Sequence, residues 1–410
     1  MFKSKWFRIG FTLMVGVFVA YIDRSNLSIA LPGIEKDLGI DGSATKSFAL
    51  TGFLIGYALA NFFGGFFTSK LNPKATIIIM VFLWSVLQIA TAWITSPVTL
   101  IVFRIILGIA EGIYWPQQFR FARAWFNKNE ITRGTNIIQF YGQFLALSLG
   151  FIILTPIFNL LGWQWVFYIT GGLGVFIVVP MFLAFLKNKP DSSDADQNIP
   201  EPEPEPEVSK QKISFNDLGG APFLLLIFSY FTNGMLFWGI TLFIPMVVTS
   251  LGYSGMSQGI ASSLPYFLAV ILAIPVSRYS DKTQKRGQIA AFGLGIAGVF
   301  LIVLPFIDSP AGKLALITLS IGCLASCFTT NIWSIITSSV KKEAVGPAAG
   351  VINGIGAGLG GTTAGFVVGY LHGYTGSYVP GFAILGIAAA LGGLSVFTYT
   401  KIIERRALTQ

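Results

Sequence analysis

Residues 9–31 read IGFTLMVGVFVAYIDRSNLSIAL, an apolar run that contains two adjacent charged residues, Asp23 and Arg24. At 1.5 Å per residue, a helix over this run is about 35 Å long, enough to cross the roughly 30 Å hydrocarbon core of a bilayer. A cleavable signal peptide is the alternative, but the two charges stand where a cleavage region is small and neutral. The run therefore predicts a membrane-spanning helix.

Apolar runs of similar length recur along the whole chain, six before and six after one long polar segment. The predicted spans are 9–31, 48–67, 75–94, 98–122, 134–160, 166–186, 223–248, 259–276, 289–306, 314–336, 348–371 and 382–402. The sequence thus predicts an all-α polytopic membrane protein. Its twelve transmembrane helices form two pseudo-symmetric six-helix halves around a central cavity.

The composition points to the same class of protein. Hydrophobic residues make up 53% of the 410 residues, a further 46 are glycine, and only 11% are charged. Soluble domains carry about 25% charged residues. This difference excludes a soluble enzyme, a disordered chain and a nucleic-acid-binding protein, despite the net charge of +9. Two cysteines also exclude a disulfide scaffold.

Basic residues cluster on alternate connections between the spans. Of the 27 lysines and arginines, 22 lie at the chain ends or in every second loop, and only Lys36, Lys46 and Lys313 lie in the other loops. Cytoplasmic loops carry an excess of lysine and arginine. We therefore expect both termini to be cytoplasmic in a multi-pass protein of the cell membrane, plasma or inner.

A polar segment with alternating proline and glutamate, PEPEPEPE at 200–207, separates the two sets of six spans. Such a sequence forms an extended, solvated spacer rather than a helix. The predicted organisation is an N-terminal six-helix half at 1–187, a cytoplasmic linker at 188–217 and a C-terminal six-helix half at 218–410. Two halves joined in this way are typical of transporters with a substrate site near the midplane.

Four charged residues lie well inside predicted spans, away from the span ends: Asp23, Arg24, Arg104 and Glu111. Each costs about 2.5–3.5 kcal/mol at the centre of a spanning helix, so we expect them to face the interior of the bundle. The simplest arrangement lets Asp23 or Glu111 neutralise Arg104 and leaves Arg24 facing the cavity. A guanidinium matches a carboxylate, so Arg24 is interpreted as the anchor of an anionic substrate.

The two intramembrane acids are also candidates for proton carriers. The proton affinity of a carboxyl group depends on its burial and on neighbouring cations, and both change when a cavity opens to one side or the other. Asp23 and Glu111 have this property if they line the cavity. The alternative is that they form static ion pairs, which hold the first and fourth spans together.

Polar side chains on otherwise apolar spans are candidates for neutral recognition of the substrate. They are Tyr21, Tyr57, Gln139 and Gln143 in the first half, and Tyr230, Asn233, Trp238, Thr330, Asn331, Trp333 and Asn353 in the second. For each Asn or Gln the alternative is a hydrogen bond to a neighbouring helix.

No sequence pattern indicates catalysis, a metal or a cofactor. The GAGLGG run at 356–361 has the glycine spacing of a dinucleotide site, but it lies in an apolar span and indicates close helix packing. Cys323 and Cys327 lack histidine or acidic partners, and His372, at the outer end of the eleventh span, is a poor candidate for a proton carrier. The chain is therefore not expected to be an enzyme.

Two motifs resemble those of the major facilitator superfamily, and specifically its anion:cation symporter branch. They are YIDRSNLSIALP at 21–32 in the first span and RIILGIAEGIYWP at 104–116 in the fourth, followed by Trp125-Phe126 and, before the sixth span, by Gly162-Trp163. The resemblance extends over the whole chain. The branch includes bacterial sugar-acid carriers for galactonate and hexuronates.

The resemblance implies roles for individual residues. Substrate contacts fall on Arg24, Tyr57, Gln143, Trp333 and Asn353, and proton exchange falls on Asp23 and Glu111, modulated by Arg104. The expected function is proton-coupled import of a small organic anion, a sugar acid or other carboxylate, by alternating access of a monomer in the lipid bilayer. The alternative is an organic anion exchanger or exporter without net proton coupling.

The loop after the second span departs from the superfamily pattern. That loop normally carries an Asp and a Gly, where this chain has Ser69 and Asn72. The corresponding loop of the second half, VSRYSDKTQKR at 276–286, keeps the acid as Asp281 and ends at Arg286. We therefore expect the inward gate to depend on Asp281 and Arg286.

Overall fold

In a computed structural model the chain forms twelve long helices within the residues that the structure describes, which are 4–40, 42–68, 71–127, 130–188, 215–341 and 344–409. The helices are α1 Trp6–Leu38, α2 Ser43–Thr68, α3 Pro73–Thr91, α4 Pro97–Trp125, α5 Arg133–Leu161, α6 Trp163–Phe185, α7 Ala221–Ser250, α8 Gly255–Thr283, α9 Arg286–Phe306, α10 Pro310–Ser339, α11 Ala348–Thr375 and α12 Val379–Arg406.

Each predicted span coincides with one helix, which confirms the all-helical membrane fold. Eleven of the helices are long and apolar enough to cross a bilayer, and α2, with 26 residues, also has the length. Most of the helices extend beyond the predicted spans because their ends continue through polar residues, whereas α3 ends at Thr91, short of the predicted residue 94. Large side chains such as Leu160 and Phe176, exposed at 82% and 75%, lie on the outside of the bundle, where lipid replaces water.

The two sets of six helices pack in the same order. In the first set α1 packs on α5, α2 on α4 and α3 on α6, and in the second set α7 packs on α11, α8 on α10 and α9 on α12. Each pairing therefore recurs six helices later, as the predicted pseudo-symmetry requires. The sets meet where α1 packs on α7, α2 on α11 and α5 on α8.

Contacts between loops place the N-terminus and the first basic connections on one side of the protein, which is named the basic face below. Lys5 pairs with Glu130 at 2.6 Å, and the Trp125 indole donates to the Lys187 carbonyl at 3.0 Å. That this face is cytoplasmic stays a prediction. The boundaries of the halves also stay a prediction, because residues 189–214, which form most of the linker, lie outside the described residues. Ser69, in the loop after the second span, lies outside them as well.

Two glycines let α2 and α4 approach so closely that their backbones touch. A β-carbon on Gly108 would lie 2.0 Å from the Phe53 carbonyl oxygen, and one on Gly56 would lie 2.0 Å from the Ile105 carbonyl oxygen. Small residues allow such contacts between helices in a membrane, where packing replaces the hydrophobic effect. The contact holds the charged segment of α4, from Arg104 to Glu111, against the middle of α2.

Substitution of Gly108 with alanine should destabilise the protein by about 1–3 kcal/mol, because the added methyl group must push α2 and α4 apart. Gly295→Ala is the matched control, since a β-carbon there meets nothing within 4 Å. Thermal unfolding of the purified variants in detergent, followed by tryptophan fluorescence, measures the difference. Equal melting temperatures for the two variants would show that the glycine contact is not required.

Candidate functional site

The four charged residues predicted inside the spans are all buried where α1 meets α4. Asp23 and Glu111 are 0% exposed, and Arg24 and Arg104 are 2% exposed. Together they carry two negative and two positive charges when all are ionised. The site is therefore a balanced charge cluster inside an apolar bundle, where each charge depends on its neighbours.

Arg24 pairs with Glu111. The Arg24 Nε donates to Glu111 Oε2 at 2.6 Å, while Glu111 Oε1 and Arg24 Nη2 are buried and have no hydrogen-bond partner in the part of the chain that the structure describes. This corrects the expectation that Arg24 is unpaired and that Asp23 or Glu111 neutralises Arg104. Seven residues of α4 separate Arg104 from Glu111, which is about 10 Å along the helix, and α1 is placed so that Arg24 reaches the acid.

Arg104 bonds to the main chain of α1 instead of to an acid. Its Nη1 donates to the Asp23 carbonyl at 3.0 Å, and its Nη2 donates to the Arg24 carbonyl at 3.1 Å. The planar guanidinium can hold two adjacent carbonyls at once, which a lysine ammonium cannot do with fixed geometry. Arg104 therefore positions the segment of α1 from which Asp23 and Arg24 project.

Asp23 lies on the other side of α1, among neutral polar side chains. Gln88 of α3 donates to the Asp23 carbonyl at 2.9 Å, and Asn26 donates to Thr170 of α6 at 3.0 Å. Neither carboxyl oxygen of Asp23 has a hydrogen-bond partner among the described residues. Asp23 is thus the acid of the cluster whose carboxyl group makes no hydrogen bond to a described residue.

Five aromatic rings surround the guanidinium of Arg24 and are named the aromatic cage. The distances from Arg24 Cζ to the ring centroids are 4.4 Å for Tyr21, 4.8 Å for Phe53, 5.0 Å for Tyr57 and Trp115, and 5.8 Å for Trp238. Ring faces attract a guanidinium and stabilise its charge at such distances. Tyr21 of α1 and Trp238 of α7 stack with their planes 5° apart, so the cage joins the two halves.

Sequence reasoning singled out three of the cage residues and missed Phe53 and Trp115. Both carried a usable signal, because Phe53 precedes Tyr57 by four residues on α2 and Trp115 follows Glu111 by four on α4. Residues four apart share one face of a helix. An apolar aromatic on the face of a predicted site residue was therefore a candidate for the same site.

Among the described residues, Trp238 is the one predicted residue of the second half with a ring contact to Arg24 or a hydrogen bond to the pair. Tyr230 and Trp333 form an edge-to-face pair with centroids 5.6 Å apart. The Thr330 hydroxyl donates to the Ser326 carbonyl, and the buried side-chain oxygen of Asn233 accepts no hydrogen bond from a described residue. Gln139, Gln143 and Asn353 are half-buried, and no hydrogen bond among the described residues joins them to Arg24 or Glu111.

Thr330 and Asn353 each adjoin a π-helical turn. The turns are Leu324–Thr329 in α10 and Gly354–Gly360 in α11. A π-helical turn inserts one residue into a helix and occurs often at functional sites. These turns shift the faces that α10 and α11 present to the interior.

Asp281 and Arg286, the predicted gate residues, form an ion pair at the end of α8 next to the start of α9. Arg286 Nη2 lies 3.3 Å from Asp281 Oδ1, and the same guanidinium donates to the Ser334 hydroxyl of α10. The Asp281 side chain is 71% exposed. The contact thus ties α8, α9 and α10 together within the second half.

A cavity of about 380 Å³ opens between the halves on the face opposite the basic face. Ser28 and Leu50 lie at its inner end, and Ser28 is one helical turn from Arg24. Arg24 and Glu111 are nevertheless shielded from solvent, at 2% and 0% exposure. In this conformation the charged pair is closed off from the cavity. Among the described residues no group of acids, cysteines and histidine is placed to hold a metal ion.

Comparison with known families gives a match to the Major Facilitator Superfamily over residues 13–365. Among individual proteins, the chain is 26% identical to the D-galactonate transporter of Escherichia coli, covering 82% of both chains. It is 25% identical to the quinolone resistance transporter of Acinetobacter baumannii, covering 81% of this chain and 80% of that one. It is 27% identical to the hexuronate transporter of Bacillus subtilis, covering 84% and 82%.

A solved structure has the same fold. It is a bacterial homologue of the human lysosomal transporter Spinster, in an inward-facing and unoccupied conformation, with a TM-score of 0.74. The match covers 97% of this chain and 98% of that one at 17% sequence identity. At this identity the likeness concerns the fold alone.

Substitutions in the Arg24–Glu111 pair should be strongly non-additive in stability. Arg24→Gln or Glu111→Gln alone leaves the other charge of the pair buried without its partner, which costs about 3–5 kcal/mol. The double variant removes both charges of the pair. The double variant should therefore melt at a higher temperature than either single variant. The same cycle on the exposed pair of Lys401 and Glu404 is the control and should show little coupling. A double variant that melts below both single variants would contradict the pairing.

Proposed function

The chain belongs to the major facilitator superfamily, whose members are membrane transporters and not enzymes, and we propose that it imports a small organic anion together with protons. The observation that carries the proposal is the buried pair of Arg24 and Glu111 at 2.6 Å, the partner that a substrate carboxylate would replace. Arg24 Nη2 has no hydrogen-bond partner among the described residues and supplies the second donor of a bidentate bond to that carboxylate.

Exchange of partners at Arg24 links the anion to a proton. When the substrate carboxylate takes the guanidinium, Glu111 is left buried without its cation, and an isolated buried carboxylate is costly. Protonation of Glu111 removes that cost. The anion therefore enters with a proton on Glu111, and release of the anion returns Arg24 to Glu111 as the proton leaves.

Asp23 supplies a second proton site in this proposal. Its carboxyl group has no hydrogen-bond partner among the described residues, and it is attached to the same turn of α1 as Arg24. Arg104 holds the main chain of both residues. A displacement of α1 against α4 thus acts on Asp23 and Arg24 together.

The remaining predicted contacts belong to the walls of the substrate site. Tyr21 and Tyr57 are cage residues with hydroxyl groups beside Arg24. The other proposed wall residues are Gln139, Gln143, Asn233, Thr330, Trp333 and Asn353, which approach the substrate as the halves move. Asp281 and Arg286 are proposed to stabilise the gate on the basic face.

The class of substrate is supported by the relatives named for D-galactonate and for hexuronate. We propose a sugar acid or a similar carboxylate, carried by a monomer in the cell membrane with both termini in the cytoplasm. The proposed units are the halves at 1–187 and 218–410, joined by the linker at 188–217. The second candidate is export or exchange of an organic anion without net proton coupling, since one relative is named for quinolone resistance rather than for a sugar acid.

Glu111→Gln should abolish accumulation driven by a pH gradient but retain counterflow, because a glutamine keeps the space and cannot exchange a proton. Wild-type and variant proteoliposomes are compared for uptake of D-galactonate and D-glucuronate, with and without an imposed gradient. Glu404→Gln, at an exposed acid near the end of α12, is the control and should keep the response to the gradient. Wild-type uptake that ignores the gradient would contradict symport and leave exchange as the function.

Loss of Arg24 should strongly weaken binding of the anion. Because Arg24→Gln alone leaves Glu111 without its cation, the variant to use is Arg24→Gln with Glu111→Gln, compared with Glu111→Gln. The affinity measured by isothermal titration should fall about a hundredfold in the double variant, as expected for loss of a buried charge-assisted contact. Equal affinity in the two variants would show that the carboxylate binds elsewhere.

A further inference from the structure

The cavity on the face opposite the basic face, named the outer vestibule here, carries a charged pair of its own. Lys46 of α2 and Glu35 of α1 lie at its wall, with Lys46 Nζ 3.0 Å from Glu35 Oε2. We propose that the outer vestibule is a second binding site, in which Lys46 captures the organic anion before it reaches Arg24. The identity of the ligand rests on the proposed function, whereas the preference for anions rests on the vestibule alone.

The exposure of the Lys46–Glu35 pair makes its partners easy to exchange. The two side chains are 36% and 23% exposed, so water screens and replaces their interaction. The Arg24–Glu111 pair is 2% and 0% exposed and cannot open without compensation. A carboxylate from solution can therefore displace Glu35 from Lys46 without a proton, which is the requirement for a first site that is freely reversible.

The size and the walls of the outer vestibule suit a whole small acid. Its volume of about 380 Å³ lies within the range of ligand sites, roughly 300–1,000 Å³. The titratable groups that line it are Glu35, Lys46, His372 and Tyr378, so Glu35 is the single lining acid among the described residues. His372 stacks on Tyr378 with ring centroids 3.9 Å apart and forms a flat wall from the second half.

Lys46 and Arg24 follow one another along the path from the outer vestibule to the closed site. Lys46 precedes Phe53 of the aromatic cage by seven residues on α2, which is two helical turns or about 10 Å. Ser28, at the inner end of the vestibule, follows Arg24 by four residues on α1, or about 6 Å. An anion on Lys46 thus lies about two helical turns of α2 from the aromatic cage and can move inward to Arg24 when the cage opens.

Substitutions of the two partners should change transport in opposite directions. Lys46→Gln should lower kcat/KM for D-galactonate about tenfold with kcat unchanged, because capture is lost, while Glu35→Gln should lower KM, because a competing carboxylate is removed. Lys36→Gln, an exposed lysine on the same side of the protein that does not line the vestibule, is the control. If the pair were only structural, both substitutions would impair transport in the same way, and that result would overturn the proposal.

A reporter cysteine tests the vestibule without any transport. Ser250, exposed at the rim on α7, is changed to cysteine after Cys323 and Cys327 are replaced by alanine. The rate of modification is compared for the anionic sulfonatoethyl and the cationic trimethylammonioethyl methanethiosulfonate. The anionic reagent should be favoured, and Lys46→Gln should reduce the ratio of the rates about tenfold, while Lys36→Gln should not.

The outcomes of the two experiments separate the vestibule from the proposed function. A ratio of rates that depends on Lys46, in a protein that takes up no organic acid, supports the anion site and contradicts the proposed transport. A ratio that Lys46→Gln leaves unchanged overturns the vestibular site, whatever the protein transports.

Discussion

A charge inside the hydrocarbon layer must be paired or protonated, and the pair of Arg24 and Glu111 meets that requirement in this protein. The pair forms only if α1 and α4 are shifted along their axes so that Arg24 and Glu111 lie at the same level. Arg104 maintains this alignment through two bonds to the main chain of α1, and the glycine contact between α2 and α4 places Glu111 deep in the bundle. The packing of the first half is thus organised around one ion pair.

The aromatic cage connects this ion pair to the second half. Trp238 of α7 is stacked on Tyr21, and both rings lie over the guanidinium of Arg24. Separation of α1 from α7 would therefore remove a ring from the guanidinium and admit water or a ligand to it. A movement between the halves would thus open Arg24 to an incoming carboxylate, while Glu111, in the same half as Arg24, stays beside it. That link is the physical basis of the proposed coupling.

The location of the charged residues could be predicted from the sequence, but their pairing could not. Hydropathy shows that Arg104 and Glu111 lie inside one span, and their spacing places both on one face of it. Whether Arg104 or Glu111 contacts Arg24 depends on how far α1 is shifted along its axis relative to α4. No local sequence pattern indicates that shift. Phe53 and Trp115 were missed for a related reason, since apolar aromatics are also typical of lipid-facing and core positions.

The sequence by itself determined the number of helices, the alternation of basic connections and the presence of four charges in apolar surroundings. These features depend on length, hydropathy and residue type, which are local properties of the chain. The tertiary structure alone decided that Arg24 pairs with Glu111, that five rings surround the guanidinium and that Lys46 faces a cavity above it. Those contacts join residues as far apart as Arg24 and Trp238, because they depend on how separate helices are shifted and rotated against one another.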